Sequence, residues 1–214
     1  MKNDPRLKRY ALAATTVPVA ALATTAPVAG EIIFEDVDLT VGGFVVSPET
    51  TSLNIGGYGS VRFLAGNNLV GPTYLWGASQ TDSKADPTIE FFVQGVGKYG
   101  AELRRFDAGE LINFGDRSGS GLGASFNIKG GFNGQFAFGG SGYLGFSIEE
   151  GNDYRYGWIS VNWNNFFFEL TIDGYAYETE LGVGVQAGVI PAPGALGLFG
   201  LAAGAAGIRR KRKA

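Results

Sequence analysis

GYLGFSIEEGNDYRYGWISVNWNNFFFELTIDGYAYE, residues 142–178, alternates with a period of two. In its first third, Leu144, Phe146 and Ile148 fall on one side of an extended chain, because successive side chains of a strand point to opposite faces. In the middle third, Tyr154, Tyr156 and Trp158 share one face while Ile159, Val161 and Trp163 share the other. A strand that is apolar on both faces lies inside a sheet with cover on each side. The last third alternates again through Phe166, Phe168, Leu170 and Ile172. Between the runs, EEGND and NN supply the Gly, Asn and Asp that tight turns favour. The stretch predicts an antiparallel meander.

The same grammar continues upstream. EIIFEDVDLTV (31–41), GSVRFLAG (59–66), TIEFFVQG (88–95), ASFNIKGG (124–131) and GQFAFGG (134–140) are short apolar or alternating runs punctuated by glycine, and no segment holds a helical period. Strand signals spaced roughly 8 to 14 residues apart predict an all-β domain over residues 31–187, an antiparallel β-sandwich of the jelly-roll or lectin-like kind.

Composition agrees and removes much chemistry. The 214 residues include 35 glycines, 13% aromatic residues and 17% charged residues, which is enough apolar surface for a core and enough glycine for many turns. There is no cysteine and no histidine, so disulfides, thiol nucleophiles, Ser-His-Asp triads and nearly all zinc, copper and haem sites are excluded. The net charge of -3 is unevenly distributed. Lys2, Arg6, Lys8 and Arg9 against Asp4 give the first 30 residues +3, and five basic residues near the C-terminus give +5, which leaves -11 for the body. An acidic body argues against nucleic acid as a partner, since phosphate binding needs a basic face.

The two ends read as targeting segments. Residues 1–30 carry a basic start, an apolar and small-residue stretch from Tyr10 to about Ala29, and small residues before Glu31, the pattern of a signal peptide that signal peptidase removes somewhere between residues 23 and 30. Pro18, Pro27 and the threonines make a poor permanent span. At the other end, Ala195 to Ile208 contains no polar side chain, and Arg209, Arg210, Lys211, Arg212 and Lys213 follow. Five glycines from Gly194 to Gly207 would each weaken a water-exposed helix by about 1 kcal/mol, whereas small residues pack well in lipid. Residues 195–208 are therefore expected to form a C-terminal transmembrane helix in the inner membrane, with the basic cluster on the cytoplasmic side.

Residues 188–214 combine Pro191 and Pro193, an apolar segment and a basic terminus, and in that order they resemble the PEP-CTERM sorting signal of Gram-negative bacteria. Ala192 stands where that family usually has glutamate. The resemblance implies that an exosortase recognises the tail and removes it, so the protein is first anchored in the membrane and then passes to the cell surface or the medium, often in biofilm-forming species that make exopolysaccharide. Pro191, Pro193 and Arg209 to Lys213 would be the sorting residues. YGWI at 156–159 followed by DGYAYE at 173–178 is similar to the closing strands of many proteins of that family, which implies a shared sandwich and no assigned active site.

Within the body the candidate chemistry is sparse. Asp36 and Asp38 lie two apart on the first predicted strand, but the ExDxxE array of some sandwich glycosidases is absent because Phe34 and Val41 occupy the other acid positions. The P-loop-like GDRSGSGLG at 115–123 lacks the Lys-Ser/Thr ending. Glu149, Glu150 and Asp153 in IEEGND could supply oxygens to a calcium ion, without the regular spacing of a dedicated loop and with a plain acidic turn as the simpler role. Tyr154, Tyr156, Trp158, Tyr175 and Tyr177 are candidates for an aromatic platform on which sugar rings stack, with core packing as the plainer role. The expectation is an exported, non-enzymatic structural or adhesive protein without catalytic residues or cofactor. A module binding extracellular polysaccharide is the alternative, and a carboxylate-dependent glycoside hydrolase a distant third.

Overall fold

The computed structural model describes residues 30–44, 47–68, 73–81, 87–97, 100–127 and 130–190. These residues form fifteen strands: β1 (Ile32–Gly42), β2 (Glu49–Asn54), β3 (Ser60–Asn68), β4 (Thr73–Gln80), β5 (Thr88–Gly97), β6 (Gly100–Leu103), β7 (Arg105–Phe106), β8 (Leu111–Ile112), β9 (Arg117–Ser118), β10 (Ser120–Asn127), β11 (Gly131–Asn133), β12 (Gly140–Glu150), β13 (Asp153–Asn164), β14 (Glu169–Glu178) and β15 (Val185–Gln186). The described residues contain no helix, so none of them can cross a membrane as one. Residues 1–29 of the expected signal peptide and everything from Pro191 onward, including the expected helix at 195–208, lie outside the described residues.

The predicted meander is present. β12 and β13 pair antiparallel without a break from Gly140↔Trp163 to Glu150↔Asp153. Their loop is the dipeptide Gly151-Asn152, with Gly151 at φ +66°, the left-handed geometry that two-residue hairpins require. The next turn falls later than the alternation suggests. Asn165–Phe168 form it, and β14 begins only at Glu169. The cause is local: Asn164 Oδ1 accepts the backbone N–H groups of Phe166 (3.1 Å) and Phe167 (3.2 Å), and Phe168 takes a left-handed φ of +57°. GQFAFGG is likewise a turn and not a strand. Gly134 and Gly139 sit at φ +85° and +83°, and the amides of Ala137 and Gly139 donate to the carbonyls three residues earlier.

Thirteen of the strands make one sheet, whose main path runs β1-β14-β13-β12-β5-β6-β10-β4-β3-β2. Its ladders are antiparallel except the single parallel bridge of β10 to β6 at Leu122↔Glu102. The sheet curls until it nearly closes, because β1 comes back against β2 and β3. Gly42 permits the approach: a Cβ there would lie 3.1 Å from the Ala65 carbonyl oxygen. Aromatic and aliphatic side chains fill the interior, among them Phe63 and Trp76 from one half and Phe146 and Trp163 from the other. Each such ring contributes about 1.5–3 kcal/mol by leaving water.

A second, smaller core lies outside the curl. Trp158 and Ala176 on the outer face of β13 and β14 pack with Phe92, Phe106, Ile112, Val185 and Ala187. β8 and β15 pair with each other, and with the loops around them they form a flap over this face. The flap is why β13 is apolar on both sides.

Candidate functional site

Beside the flap, between β1 and β12, the outer face opens into a groove. Phe34 and Asp36 of β1, Tyr143 of β12, Trp158 and Ser160 of β13 and Asp173 of β14 line it, with Gly174, Gly188 and Ile190 forming its walls. Its cavity is about 140 Å³, and a neighbouring hollow of about 210 Å³ shares Tyr143 and Ser160 and adds Phe106, Asp107, Ala108, Ser141 and Gly142. Each is smaller than the roughly 300–1,000 Å³ of a typical small-molecule pocket, so the surface suits a ligand that lies along it.

The aromatic wall is built on Trp158. Its indole lies 5.9 Å from the Phe34 ring and 5.3 Å, edge-on, from the Tyr143 ring. Trp158 is 1% exposed, and its buried Nε1 has no hydrogen-bond partner among the described residues. Tyr143 and Phe34 are half-buried and present ring surface to solvent.

The polar wall depends on a double bulge. Ser160 pairs with Gly174 and Val161 with Ile172, so Asp173 is an extra residue between the two rungs. On the other side, Asp36 pairs with Gly174 and Leu39 with Ile172, which leaves Val37 and Asp38 opposite Asp173. Bulges bend a strand and re-aim its side chains. Here the exposed Asp173 carboxylate accepts a 3.0 Å hydrogen bond from the Ser160 hydroxyl, and Asp36 lines the same groove. Two glycines keep the groove open. A Cβ on Gly174 would meet the Phe34 ring at 3.1 Å and the Glu35 carbonyl oxygen at 2.7 Å, and one on Gly188 would meet the Tyr143 hydroxyl at 2.5 Å.

Of the five aromatic residues expected to form a platform, the structure divides three from two. Tyr154, Tyr156 and Trp158 stay on the outer face, with Tyr156 against Phe92 and Trp158 in the groove. Tyr175 and Tyr177 point into the interior, 1% and 5% exposed. Burial, then a hydrogen bond to the Glu35 carboxylate, pushes the Tyr175 hydroxyl up to about 12, while the Gly56 amide donates to it at 3.0 Å. Tyr177 is raised as well, first by burial and then by Tyr58 and Glu35. Both are structural rings of the core.

The calcium candidates do not converge. Glu150 accepts from Arg155 Nε at 2.6 Å, and the Asp153 carboxylate accepts from the Tyr154 amide at 2.8 Å. Among the described residues no group of three carboxylates is placed to hold a metal ion. Asp36 and Asp38 are both exposed on β1, and only Asp36 reaches the groove.

Sequence reasoning named Trp158 and Asp36 and missed Tyr143, Ser160, Asp173 and Phe34. The signal for Ser160 was its place two residues beyond Trp158 on the same face; the bulge that brings in Asp173 leaves no period to read. No protein-family model matches the chain, and neither a curated protein nor a solved structure does.

Proposed function

We propose that this chain is an exported, non-enzymatic surface or extracellular-matrix protein with an adhesive role, delivered by an N-terminal signal peptide and handled at its C-terminus as a PEP-CTERM-like exosortase substrate. The observation that carries the adhesive part is the filled interior: Phe63, Trp76, Phe91, Phe136, Phe146 and Trp163 are all 1% exposed or less. A domain packed solid with rings recognises partners on its outside. We read the curled sheet as a β-sandwich of jelly-roll or lectin-like type. Support comes from its two halves, β1-β14-β13-β12-β5 and β6-β10-β4-β3-β2, which contribute inward residues to one core.

The sorting reading is tested in a Gram-negative host by replacing Arg209, Arg210, Lys211, Arg212 and Lys213 with glutamine. The expected result is loss of membrane retention and of C-terminal processing with the domain still folded. Unchanged fractionation and an unchanged mature mass would sink it.

The groove favours a second, compatible reading, a polysaccharide-binding module. Aromatic faces at Tyr143 and Phe34 suit the C–H faces of sugar rings, and Asp36, Asp173 and Ser160 suit their hydroxyls. The groove is lined by carboxylates and by no basic residue, which favours neutral glycans over uronate-rich ones. Affinity electrophoresis through gels containing neutral or acidic polysaccharide tests this. Retardation by neutral polymer, lost in Tyr143→Ala, supports it; equal mobility in every gel rejects it.

A further inference from the structure

At the end of the molecule opposite the Gly151-Asn152 hairpin, phenylalanines from separate segments meet in one run of rings. Phe166 and Phe167 of the β13–β14 turn contact each other at 5.1 Å, and Phe44, just past β1, lies 6.1 Å from Phe167 and 5.1 Å from Phe168. Half-buried Phe168 and Phe126, with buried Tyr74 between them, join this group to a second exposed pair, Phe132 and Phe138, whose rings lie 4.8 Å apart. Phe44, Phe132, Phe138, Phe166 and Phe167 are 50 to 79% exposed. Scattered exposed rings are ordinary on a protein surface, but a contiguous apolar patch marks an interaction site.

Charge says what kind of partner fits. Residues 130–141 and 162–168, which lie at this end, contain no charged side chain, and beside them Arg105, bonded to the Ser141 carbonyl, and Glu169 at the start of β14 bring one charge of each sign, although the body as a whole carries -11. An anionic bilayer surface repels the rest of an acidic domain and does not repel this end. The chain also continues toward a membrane. Only Pro191 to Gly194 separate the last described residue from the apolar segment 195–208, a link of at most about 14 Å at full extension. Ile190 sits in the groove beside Ser160, four residues along β13 from Asn164, where the turn that carries Phe166 and Phe167 begins, or about 14 Å. A domain leaning on its aromatic end therefore stays within the reach of that link.

We propose that this rim of phenylalanines enters the interfacial layer of the lipid bilayer while the protein is tethered, so that the domain rests on the membrane with this end down. The proposal rests on the reading of residues 195–208 as membrane-embedded. Phenyl rings without polar handles gain by leaving water for the headgroup–acyl boundary, as the apolar faces of interfacial helices do.

The chain has no cysteine, so single cysteines label uniquely. Phe166→Cys, Phe138→Cys, Asn152→Cys and Leu201→Cys, each in the full chain and carrying an environment-sensitive fluorophore, are reconstituted into phosphatidylcholine vesicles with or without nitroxide-bearing lipid. The labels at 166 and 138 are expected to shift to the blue and be quenched by the lipid nitroxide, as is 201 in the tail, while 152 at the far hairpin stays water-like. Labels at 166 and 138 that behave like 152 while 201 is quenched overturn the proposal and leave the tail reading intact. No quenching at any position overturns both. A blue shift at 166 that needs no lipid and grows with protein concentration assigns the rim to self-association and overturns the lipid proposal.

Discussion

Gly123 should tolerate no side chain while Trp76 is present. β10 carries a bulge against β4 here, because Leu122 pairs with Gly77 and Ala124 with Trp76, which leaves Gly123 as the extra residue. The Trp76 indole lies over it: a Cβ on Gly123 would sit 2.2 Å from Cζ2 and 2.3 Å from Cε2 and Cη2. Relief needs a shift of more than 1 Å. The indole is held by Phe136 at 5.1 Å and Trp163 at 6.3 Å and is 0% exposed, so Gly123→Ala belongs at the upper end of overpacking costs, about 3 kcal/mol. In a domain of this size that lowers Tm by about 6–12 °C. Trp76→Phe should ease the clash, because a phenyl ring removes the contacts at Cζ2 and Cη2, two of the three. Its own cost is about 1 kcal/mol, since the indole N–H that it removes is buried without a partner among the described residues. Urea unfolding of the wild type, both single variants and the double variant, followed by far-ultraviolet ellipticity, gives the coupling. The double variant should be more stable than the summed single losses by over about 1 kcal/mol. Additivity within about 0.5 kcal/mol, or a Gly123→Ala variant as stable as wild type, would refute the packing argument.

Tyr143→Ala and Asp173→Asn should each weaken neutral-polysaccharide binding by about tenfold, because each removes one stacking or charge-assisted contact; Tm should be nearly unchanged in Asp173→Asn and lower in Tyr143→Ala, whose ring packs on Trp158, and titration calorimetry and thermal melts check both. Trp158→Ala should instead cost about 3–5 kcal/mol of stability, because that ring holds the outer core as well as the groove. Tyr175 predicts a loss of stability at high pH. Its hydroxyl titrates at about 12 in the folded chain against 10.0 unfolded, so its contribution is fully present below pH 10 and is lost as the pH rises toward 12. Urea midpoints from pH 8 to 11.5 should fall above pH 10, less steeply in Tyr175→Phe, and parallel falls would contradict the assignment. Phe168→Gly relieves a left-handed φ but removes a ring packed at 5.4 Å from Tyr74 and 5.1 Å from Phe44, so it should destabilise by about 1–2 kcal/mol. A stabilised Phe168→Gly variant would show that backbone strain dominates there.

The strands were legible where a period-two pattern met a turn whose chemistry is local. Leu144, Phe146 and Ile148 face inward, as do Ile159, Val161 and Trp163, and the Gly151-Asn152 hairpin closes between them. The same logic failed where glycine decides the backbone. GQFAFGG alternates like a strand and folds as a turn, because Gly134 and Gly139 take conformations that a strand does not use. FFF looked like the start of a strand, yet the Asn164 side chain bonds two amides of that run and holds it in the turn. β2 and β4 escaped notice because ETTSLN holds one large apolar residue and TYLWGASQ sets its large ones side by side at Tyr74, Leu75 and Trp76 without alternation, and their pairing with β3 supplies what the pattern does not.

The groove was harder to see for a reason specific to sheets. Trp158 announced itself, but a binding surface needs neighbours across strands, and those are set by register. Tyr143 stands opposite Ser160, two residues from Trp158 on β13 and fifteen from it in sequence. Asp173 reaches the groove only because the ladders on both of its sides slip at the same rung. A one-residue shift would send every later side chain to the other face, so the bulge must be absorbed to keep Leu170 and Ile172 in the core. It is absorbed twice, at Val37-Asp38 on β1 and at Asp173 on β14, and both strands keep their apolar faces inward on either side of it. Deleting Asp173 should therefore damage the fold as well as the groove, whereas Asp173→Asn should leave the fold intact and change only what the groove binds.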